Sequence, residues 1–231
     1  MALMNLWLAT LMQTTDSGFP SGAYAHSMGL EGLVELGVVR DTDTLRLFLF
    51  EHLLPALEYV ELPYLRFAYA AAANREFEVL EGLGIEYGAS RLMRESAQAS
   101  LSLGRQRLEM LRQISGKVPL LEAFSEHCAK KELAHLVIVA GVQAAAREIP
   151  LDAAMTAFAY SAAVSTLAAS LKLIRIGQVA SQRLLAEVIA VLPPVVERSR
   201  SVERDDAGWF NPLMDIAAAR HETAYTRLFI S

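Results

Sequence analysis

Apolar residues recur at helical spacing over almost the whole chain, and no stretch alternates convincingly at period two. Alanine and leucine, which cost least in a helix, dominate a hydrophobic fraction of 53%, whereas aromatic residues make up only 8%. A chain of 231 residues can bury a sizeable core without disulfides or metal. The sequence therefore predicts an all-α protein, with one domain over 1–231 that is a bundle of roughly ten helices.

Charge and cysteine usage narrow the function classes. The formal net charge of −5 argues against a nucleic-acid-binding protein, for which a basic stripe is expected. Cys128 is the single cysteine, so an internal disulfide is excluded and a reducing compartment is the simplest interpretation. The first sixteen residues lack a basic region and an evident cleavage site, which favours a packed first helix over a signal peptide.

One segment, Ala153–Leu171, runs for nineteen residues without a charge, which is just long enough to span a bilayer. It consists mostly of Ala, Ser and Thr, however, and these residues gain little from lipid. We expect a helix buried near the centre of the bundle. A membrane protein built on this segment is the alternative.

Prolines and glycines predict interruptions in the first half of the chain. Pro55 and Pro63 predict breaks or kinks, because each ring replaces an amide donor. Thr42 or Asp43 is the predicted N-cap of the helix that precedes them. Gly82–Gly88 lacks the glycine spacing of a dinucleotide-binding loop and is interpreted as an ordinary loop.

In the second half, a long amphipathic helix is predicted from Glu86 to Ile114, with its arginines on a solvated face. The pair Pro193–Pro194 predicts a helix end. The stretch 196–208 is polar and predicted to be mobile, and 209–231 is predicted to be a C-terminal helix and tail that binds a partner.

The most suggestive motif is "DSGFPSGAYAHSMGLE", residues 16–31. Asp16, Ser17 and His26 supply the residue types of a hydrolytic triad, but nothing resembles the strained turn that exposes such a serine. The structural interpretation is that Asp16 or Ser17 caps the chain and Phe19 packs. A small helical hydrolase or metalloenzyme that uses His26 with Asp16 is the alternative.

No other motif predicts chemistry. The five histidines do not fall at the spacing of a metal site, and no glycine-rich phosphate loop is present. The closing stretch "RHETAYTRLFIS" interleaves tyrosine, arginine and phenylalanine, the types that anchor interfaces. These observations predict a binding protein rather than an enzyme.

Four segments in order along the chain resemble the UreF family of urease accessory proteins. The stretch 16–31 resembles the N-terminal signature, "GQVASQRLL" (177–185) a segment that follows a long Ala-rich helix, and "DIAAARHETAYTRLF" (215–229) the C-terminal block. "RLMRESAQASLSLGRQRLEML" resembles the central helix less specifically. The matches are spread over nearly the full length.

The resemblance implies a non-enzymatic, cytoplasmic, all-helical protein that forms homodimers and has no cofactor of its own. It implies a urease maturation chaperone that joins UreD (also called UreH) and the GTPase UreG on apo-urease and supports nickel insertion. The alternative within the family is a regulator of UreG GTPase activity. Whether nickel contacts this chain is left open.

Motif matching assigns the family's partner-binding role to three blocks of residues. The first block contains Asp16, Phe19, Pro20, Gly22, His26, Ser27, Gly29, Leu30 and Glu31. The second contains Gly177, Gln178 and Gln182, and the third Arg220, His221, Glu222, Tyr225, Arg227, Leu228 and Phe229.

Overall fold

Two apolar helices, α5 (Leu62–Ala73) and α9 (Leu136–Ala146), pack against each other at the centre of the fold. In this computed structural model, which describes residues 6–20, 29–129, 131–222 and 228–229, α9 buries side chains on almost every side. Gly141 is required where the two helices meet, since a Cβ there would lie 2.5 Å from the carbonyl oxygen of Leu65. The absence of a side chain therefore sets the distance between the two helices.

The other helices surround this pair. They are α1 (Leu6–Thr15), α2 (Leu30–Glu35), α3 (Thr42–Phe48), α4 (Leu54–Ala56), α6 (Phe77–Ser90), α7 (Arg94–Ile114), α8 (Pro119–Cys128), α10 (Leu151–Leu173), α11 (Gln178–Ser199) and α12 (Pro212–Glu222), with a 3-10 turn at Arg204–Asp206. No strand occurs within the described ranges, and the predicted all-α class is confirmed. Because α3, α4 and α5 follow one another without a loop, they count as one helix in a total of ten there.

The prolines at 55 and 63 do not break the helix, so the predicted breaks are wrong, and the alternative of kinks stays a prediction. Two π-helical turns, Leu49–Leu53 and Leu57–Glu61, precede or flank them, and the chain stays helical from Thr42 to Ala73. The carbonyl of Leu49 accepts from the N–H of Leu54, five residues on, which is the hydrogen bond of a π-turn. A wider turn absorbs each missing proline donor without ending the helix.

The predicted N-cap at Thr42 or Asp43 is wrong by one or two residues. Asp41 is the N-cap of α3, and its side chain accepts from the N–H of Thr44 at 2.9 Å. The hydroxyl of Thr44 in turn accepts from the N–H of Asp41 at 3.1 Å, which completes a reciprocal capping box.

Two predictions about the region 82–114 are wrong. Gly82–Gly88 lies inside α6 rather than in a loop. Gly84 serves the packing of this helix, since a Cβ there would lie 2.9 Å from the carbonyl oxygen of Leu133. The predicted long helix is interrupted, since α6 ends at Ser90 and Arg91 and Met93 take extended backbone conformations before α7 begins.

The predicted helix end at Pro193–Pro194 is also wrong, because α11 continues through both prolines to Ser199. Both prolines are exposed, as are Ile189 and Ala190, whose carbonyls lose their N–H partners, while Val195 and Val196 are buried and hold the last turns in place. Beyond the helix, Arg66 donates to the carbonyl of Val202 at 2.5 Å. The mobility of 196–208 stays a prediction, and these contacts argue against it.

One cluster of buried side chains draws members from all parts of the described chain, from Phe19 to Phe229. The prediction of a single domain is supported by this shared core but stays a prediction. Two helices, α10 and α11, are long and apolar enough to cross a membrane by length and composition alone. Each contributes about eight buried residues to the fold, as expected for core helices.

Candidate functional site

The N-terminal and C-terminal motif blocks meet in the fold, where α2 packs on α12. Gly29, with φ of 82°, begins α2 and leaves room for Met214, whose Cε would lie 2.6 Å from a Cβ at Gly29. One turn later, a Cβ at Gly32 would lie 2.5 Å from the carbonyl oxygen of Ala217. These two glycines let the helices approach to backbone distance.

Glu31 joins the same two blocks by hydrogen bonds. Its side chain is 4% exposed, and its two carboxylate oxygens accept from the backbone N–H groups of Leu228 at 2.7 Å and Phe229 at 3.0 Å. The Phe229 ring is buried and lies 5.3 Å from the ammonium of Lys172 on α10. A buried carboxylate thus fixes the position of the C-terminal block.

The loop after α1 forms an Asx turn and not the cap that the structural interpretation placed at Asp16 or Ser17, whereas the predicted packing of Phe19 is confirmed. The Asp16 Oδ1 accepts from the N–H of Gly18 at 2.7 Å, and Phe19 is buried beneath the Arg107 guanidinium, whose carbon lies 5.4 Å from the ring centre. Pro20 is exposed and ends this described stretch. Leu30, the first residue of α2, is fully buried and serves the core.

A central cavity of about 760 Å³ lies beneath these elements. Its wall is formed by the loop 16–20, the two π-turns, the α6–α7 junction and parts of α7, α9, α10 and α12. Most lining side chains are apolar, but polar and charged groups, including the carboxylates of Glu95 and Asp215, occur in all parts of the wall. Among them are Asp16, His52, Glu61, Arg91, Arg107 and Lys172. A volume of this size is typical of ligand-binding cavities.

Glu61, Tyr87 and Arg91 form a charged cluster in the cavity wall. The Tyr87 hydroxyl donates to the Glu61 carboxylate at 2.9 Å, and the Arg91 guanidinium contacts both groups. Burial lowers the pKa of Arg91, but the Glu61 carboxylate and Tyr87 offset that effect and leave the pKa raised. Arg91 is therefore not on a solvated face as predicted, since its contacts lie at the break between α6 and α7.

His52 lies in the first π-turn and faces the segment that precedes α12. Its Nδ1 is 2.8 Å from the side-chain nitrogen of Asn211, so the amide donates to an unprotonated ring nitrogen. Next to it, Trp209 stacks on Tyr59 with ring centres 5.7 Å apart. Phe210, which lies between Trp209 and Asn211 in the sequence, is 82% exposed, so its aromatic side chain is in solvent.

The second motif block is not part of this site. Gly177 is the N-cap of α11, and Gln178 and Gln182 are exposed one turn apart on its outer face. Together with Val179 and Arg183 they line a shallow surface depression. The structure thus brings two of the three blocks together and places the third on a different helix surface.

Several predicted residues lie outside the described part of the chain, and their roles stay predictions. These are Gly22, His26, Ser27, Tyr225 and Arg227, together with the side chains of His221 and Glu222. Arg220 is described and exposed at the end of α12. The alternative that pairs His26 with Asp16 is likewise untested, and the described residues hold no group of three metal-ligating side chains.

Sequence reasoning missed His52, Glu61 and the aromatic pair at 209–210. The sequence "WFNP" indicates the aromatic pair, because two aromatic residues precede a helix-starting proline in an otherwise polar stretch. No local signal marked Glu61, because its partners Tyr87 and Arg91 are 26 and 30 residues away.

The fold and the site define an all-α protein whose two terminal blocks close over a central cavity. A family model described as UreF matches residues 39–189. The chain is 32% identical over 226 residues, 98% of each chain, to the urease accessory protein UreF of Dechloromonas aromatica (strain RCB). It is 31% identical over 222 residues to that of Nostoc sp. (strain PCC 7120 / SAG 25.82 / UTEX 2576), covering 96% of this chain and 94% of the relative.

The chain therefore belongs to the UreF family. A third relative, from Arthrobacter sp. (strain FB24), is 29% identical over 231 residues, the full length of both chains. The match to the family model does not extend to either terminal block, whereas the alignments with these relatives span almost the whole chain. The resemblance recognised from the motifs is confirmed.

Proposed function

We propose that this chain is a urease maturation chaperone that acts as a scaffold rather than as an enzyme. Its partners are UreD (UreH), the GTPase UreG and apo-urease, and its contribution is to support nickel insertion into the urease active site. It acts in the cytoplasm as a homodimer and has no cofactor of its own. Membership of the UreF family, whose relatives carry the name urease accessory protein, supports this role.

The single observation that carries the scaffold role is a set of exposed apolar side chains in the C-terminal block and just before it. Phe210 is 82%, Leu228 72% and Ile216 54% exposed, although these residues lie beside firmly held neighbours. Large exposed side chains on a fixed support are typical of interfaces, because few rotamers need to be frozen on binding. We define Trp209, Phe210, Ile216 and Leu228 as the C-terminal surface.

The support of this surface comes from a partly exposed aromatic stack and from a buried carboxylate. Trp209 is held by Tyr59, and Leu228 is held through its backbone by Glu31. Substitution of an exposed side chain in this surface therefore changes the contact area and leaves the supporting contacts in place. This separates a loss of binding from a loss of folding.

The test is co-purification of tagged protein with UreD and UreG produced in the same cells. The Phe210→Ala, Leu228→Ala double variant is expected to lose both partners, while its circular dichroism and urea unfolding match those of the unchanged protein. Ile85→Ala on α6, at a residue that is 58% exposed, removes a comparable apolar group elsewhere and is the matched control. Full retention of UreD and UreG by the double variant would contradict the assignment.

A further inference from the structure

Arg107 is a cation in the cavity wall without a carboxylate partner in the described part of the chain. Its Nε donates to the Gln143 Oε1 at 2.8 Å, and its Nη1 donates to the backbone carbonyl of Thr14 at 3.1 Å. Both acceptors are neutral oxygens. Within the described ranges, no hydrogen bond from Nη2 is present, so part of the guanidinium fork stays available.

Buried polar groups hold this arginine in one orientation. Gln143 is 2% and Thr14 3% exposed, and the Gln143 amide donates to the Thr14 hydroxyl at 2.9 Å. That hydroxyl donates in turn to the carbonyl of Thr10 at 3.0 Å. The Phe19 ring lies beneath the guanidinium. A chain of satisfied hydrogen bonds therefore fixes a positive charge that pairs with no negative one among the described residues.

The charge persists at neutral pH. Burial lowers the pKa of Arg107 to about 10, which still leaves the guanidinium protonated at pH 7. The other cation of this part of the wall, Arg91, contacts Glu61 and is neutralised there. Arg107 is thus a position in the wall where an incoming anion gains a charge-assisted hydrogen bond.

A second unpartnered polar group lies on the same face of α7. The Ser100 Oγ is buried and has no hydrogen-bond partner in the described structure, and Ser100 and Arg107 both line the cavity. Seven residues of helix separate them by about 10 Å. Ala99, Leu103 and Phe158 add apolar surface to this part of the wall, which also carries the polar side chains of Gln106 and Glu95.

We propose that the central cavity is a binding site for a small organic carboxylate, whose carboxylate pairs with the Arg107 guanidinium. Its apolar body packs along Leu103, and a hydroxyl or amide at its far end reaches Ser100. Arginine matches a carboxylate with two parallel N–H donors, which fixes the orientation of the ligand as well as its charge. A phosphate would use the arginine but not the apolar remainder of the cavity.

The probes are octanoate, 8-hydroxyoctanoate, octanamide and octylamine, measured by calorimetry on the full-length protein. Octanoate is expected to bind, and octanamide and octylamine to bind at least about tenfold more weakly, because they lack the charge that Arg107 recognises. The hydroxyl of 8-hydroxyoctanoate is expected to improve binding, and Ser100→Ala to remove that improvement. These comparisons on the unchanged protein need no variant of Arg107.

Arg107→Gln is expected to reduce octanoate binding at least about tenfold. Arg105→Gln is the matched control, since Arg105 lies on the same helix, is exposed and carries the same charge. Octanoate that fails to bind the unchanged protein would overturn the proposal. Equal binding of octanoate and octanamide, or equal loss in the Arg107 and Arg105 variants, would overturn it as well.

Discussion

Glu31 and Phe229 are 198 positions apart in the chain, yet the Glu31 carboxylate accepts the backbone N–H of Phe229 at 3.0 Å. The neighbouring N–H of Leu228 binds the other oxygen of the same carboxylate. One acidic side chain thus joins the start of the fold to its end. Because the carboxylate is buried, its two oxygens need hydrogen-bond donors, and the two backbone N–H groups supply them.

Glu31→Gln is expected to release the C-terminal block, because a neutral amide offers one acceptor oxygen and directs its NH₂ group at an N–H. Loss of hydrogen bonds to a buried charge is expected to lower the free energy of unfolding by about 1–3 kcal/mol. Urea unfolding measures the stability, and hydrogen exchange measures protection of the amides at 228 and 229. Glu35→Gln, at an exposed position of the same helix, is the control. Unchanged protection in the Glu31 variant would rule out this function of the carboxylate.

The ion pair of Arg198 with Glu58 is expected to matter more than its surface counterpart. Glu58 is 5% exposed and receives two donors from Arg198, at 2.8 and 2.6 Å. Arg198→Ala removes the two guanidinium donors of this buried carboxylate and is expected to lower the stability measured by urea unfolding. Arg46→Ala removes an ion pair with Glu187 in which both side chains are largely exposed, and is expected to cost less than about 1 kcal/mol. The reverse order would contradict this assignment of the buried pair.

His135 predicts how stability depends on pH. Burial, with smaller contributions from Arg91 and Arg105, lowers the pKa of this histidine from 6.5 to about 4. Between these values the unfolded chain binds a proton that the folded chain excludes, so stability rises with pH. We expect the contribution of His135 to be complete above about pH 6.5 and to fall by about 3 kcal/mol as the pH drops to 4.

Urea unfolding at pH 7.0, 6.0 and 5.0 measures this effect. The slope of the unfolding free energy against pH reports the number of protons taken up on unfolding. In His135→Gln this number is expected to be smaller by up to one over this range, because glutamine does not titrate. An identical slope in the variant would show that His135 is not the group responsible.

Alanine substitutions at two glycines compare a closely packed position with an open one. A Cβ at Gly104 would clash with the backbone carbonyl of Ala134, whereas nothing lies within 4 Å of a Cβ at Gly177. Gly104→Ala is therefore expected to lower the midpoint of thermal unfolding strongly, with a cost of about 1–3 kcal/mol or more. Gly177→Ala is expected to leave the midpoint unchanged, since its backbone conformation suits any residue. A stable Gly104 variant would contradict the packing of α7 on the start of α9.

The helices were predictable from the sequence because apolar periodicity and end signals act over a few residues. Pro119, for example, lies at the first position of α8, where proline is favoured. The interruption at Arg91 was not predictable, since it depends on Glu61, which is 30 residues away. The end of α11 was misplaced because Pro193 removes a local donor, while burial of Val195 and Val196 decides the outcome.

In the candidate site, too, local features were predictable from the sequence, and contacts between distant residues were not. The N-terminal and C-terminal blocks were recognisable from their residues, but their contact through Glu31 depends on tertiary structure alone. Arg107 was predicted to lie on a solvated face because its helix is amphipathic. Its actual partner Gln143 sits on an apolar helix whose pattern gives no indication of a polar contact.

Urease activity in cells that lack the native accessory protein tests the central claim most directly. Complementation with this chain and with Ile85→Ala is expected to restore activity and the nickel content of purified urease. The Phe210→Ala, Leu228→Ala variant, produced at the same level, is expected to restore neither, because its C-terminal surface no longer holds the partners. Full activation by that variant would contradict the claim that this surface carries the function.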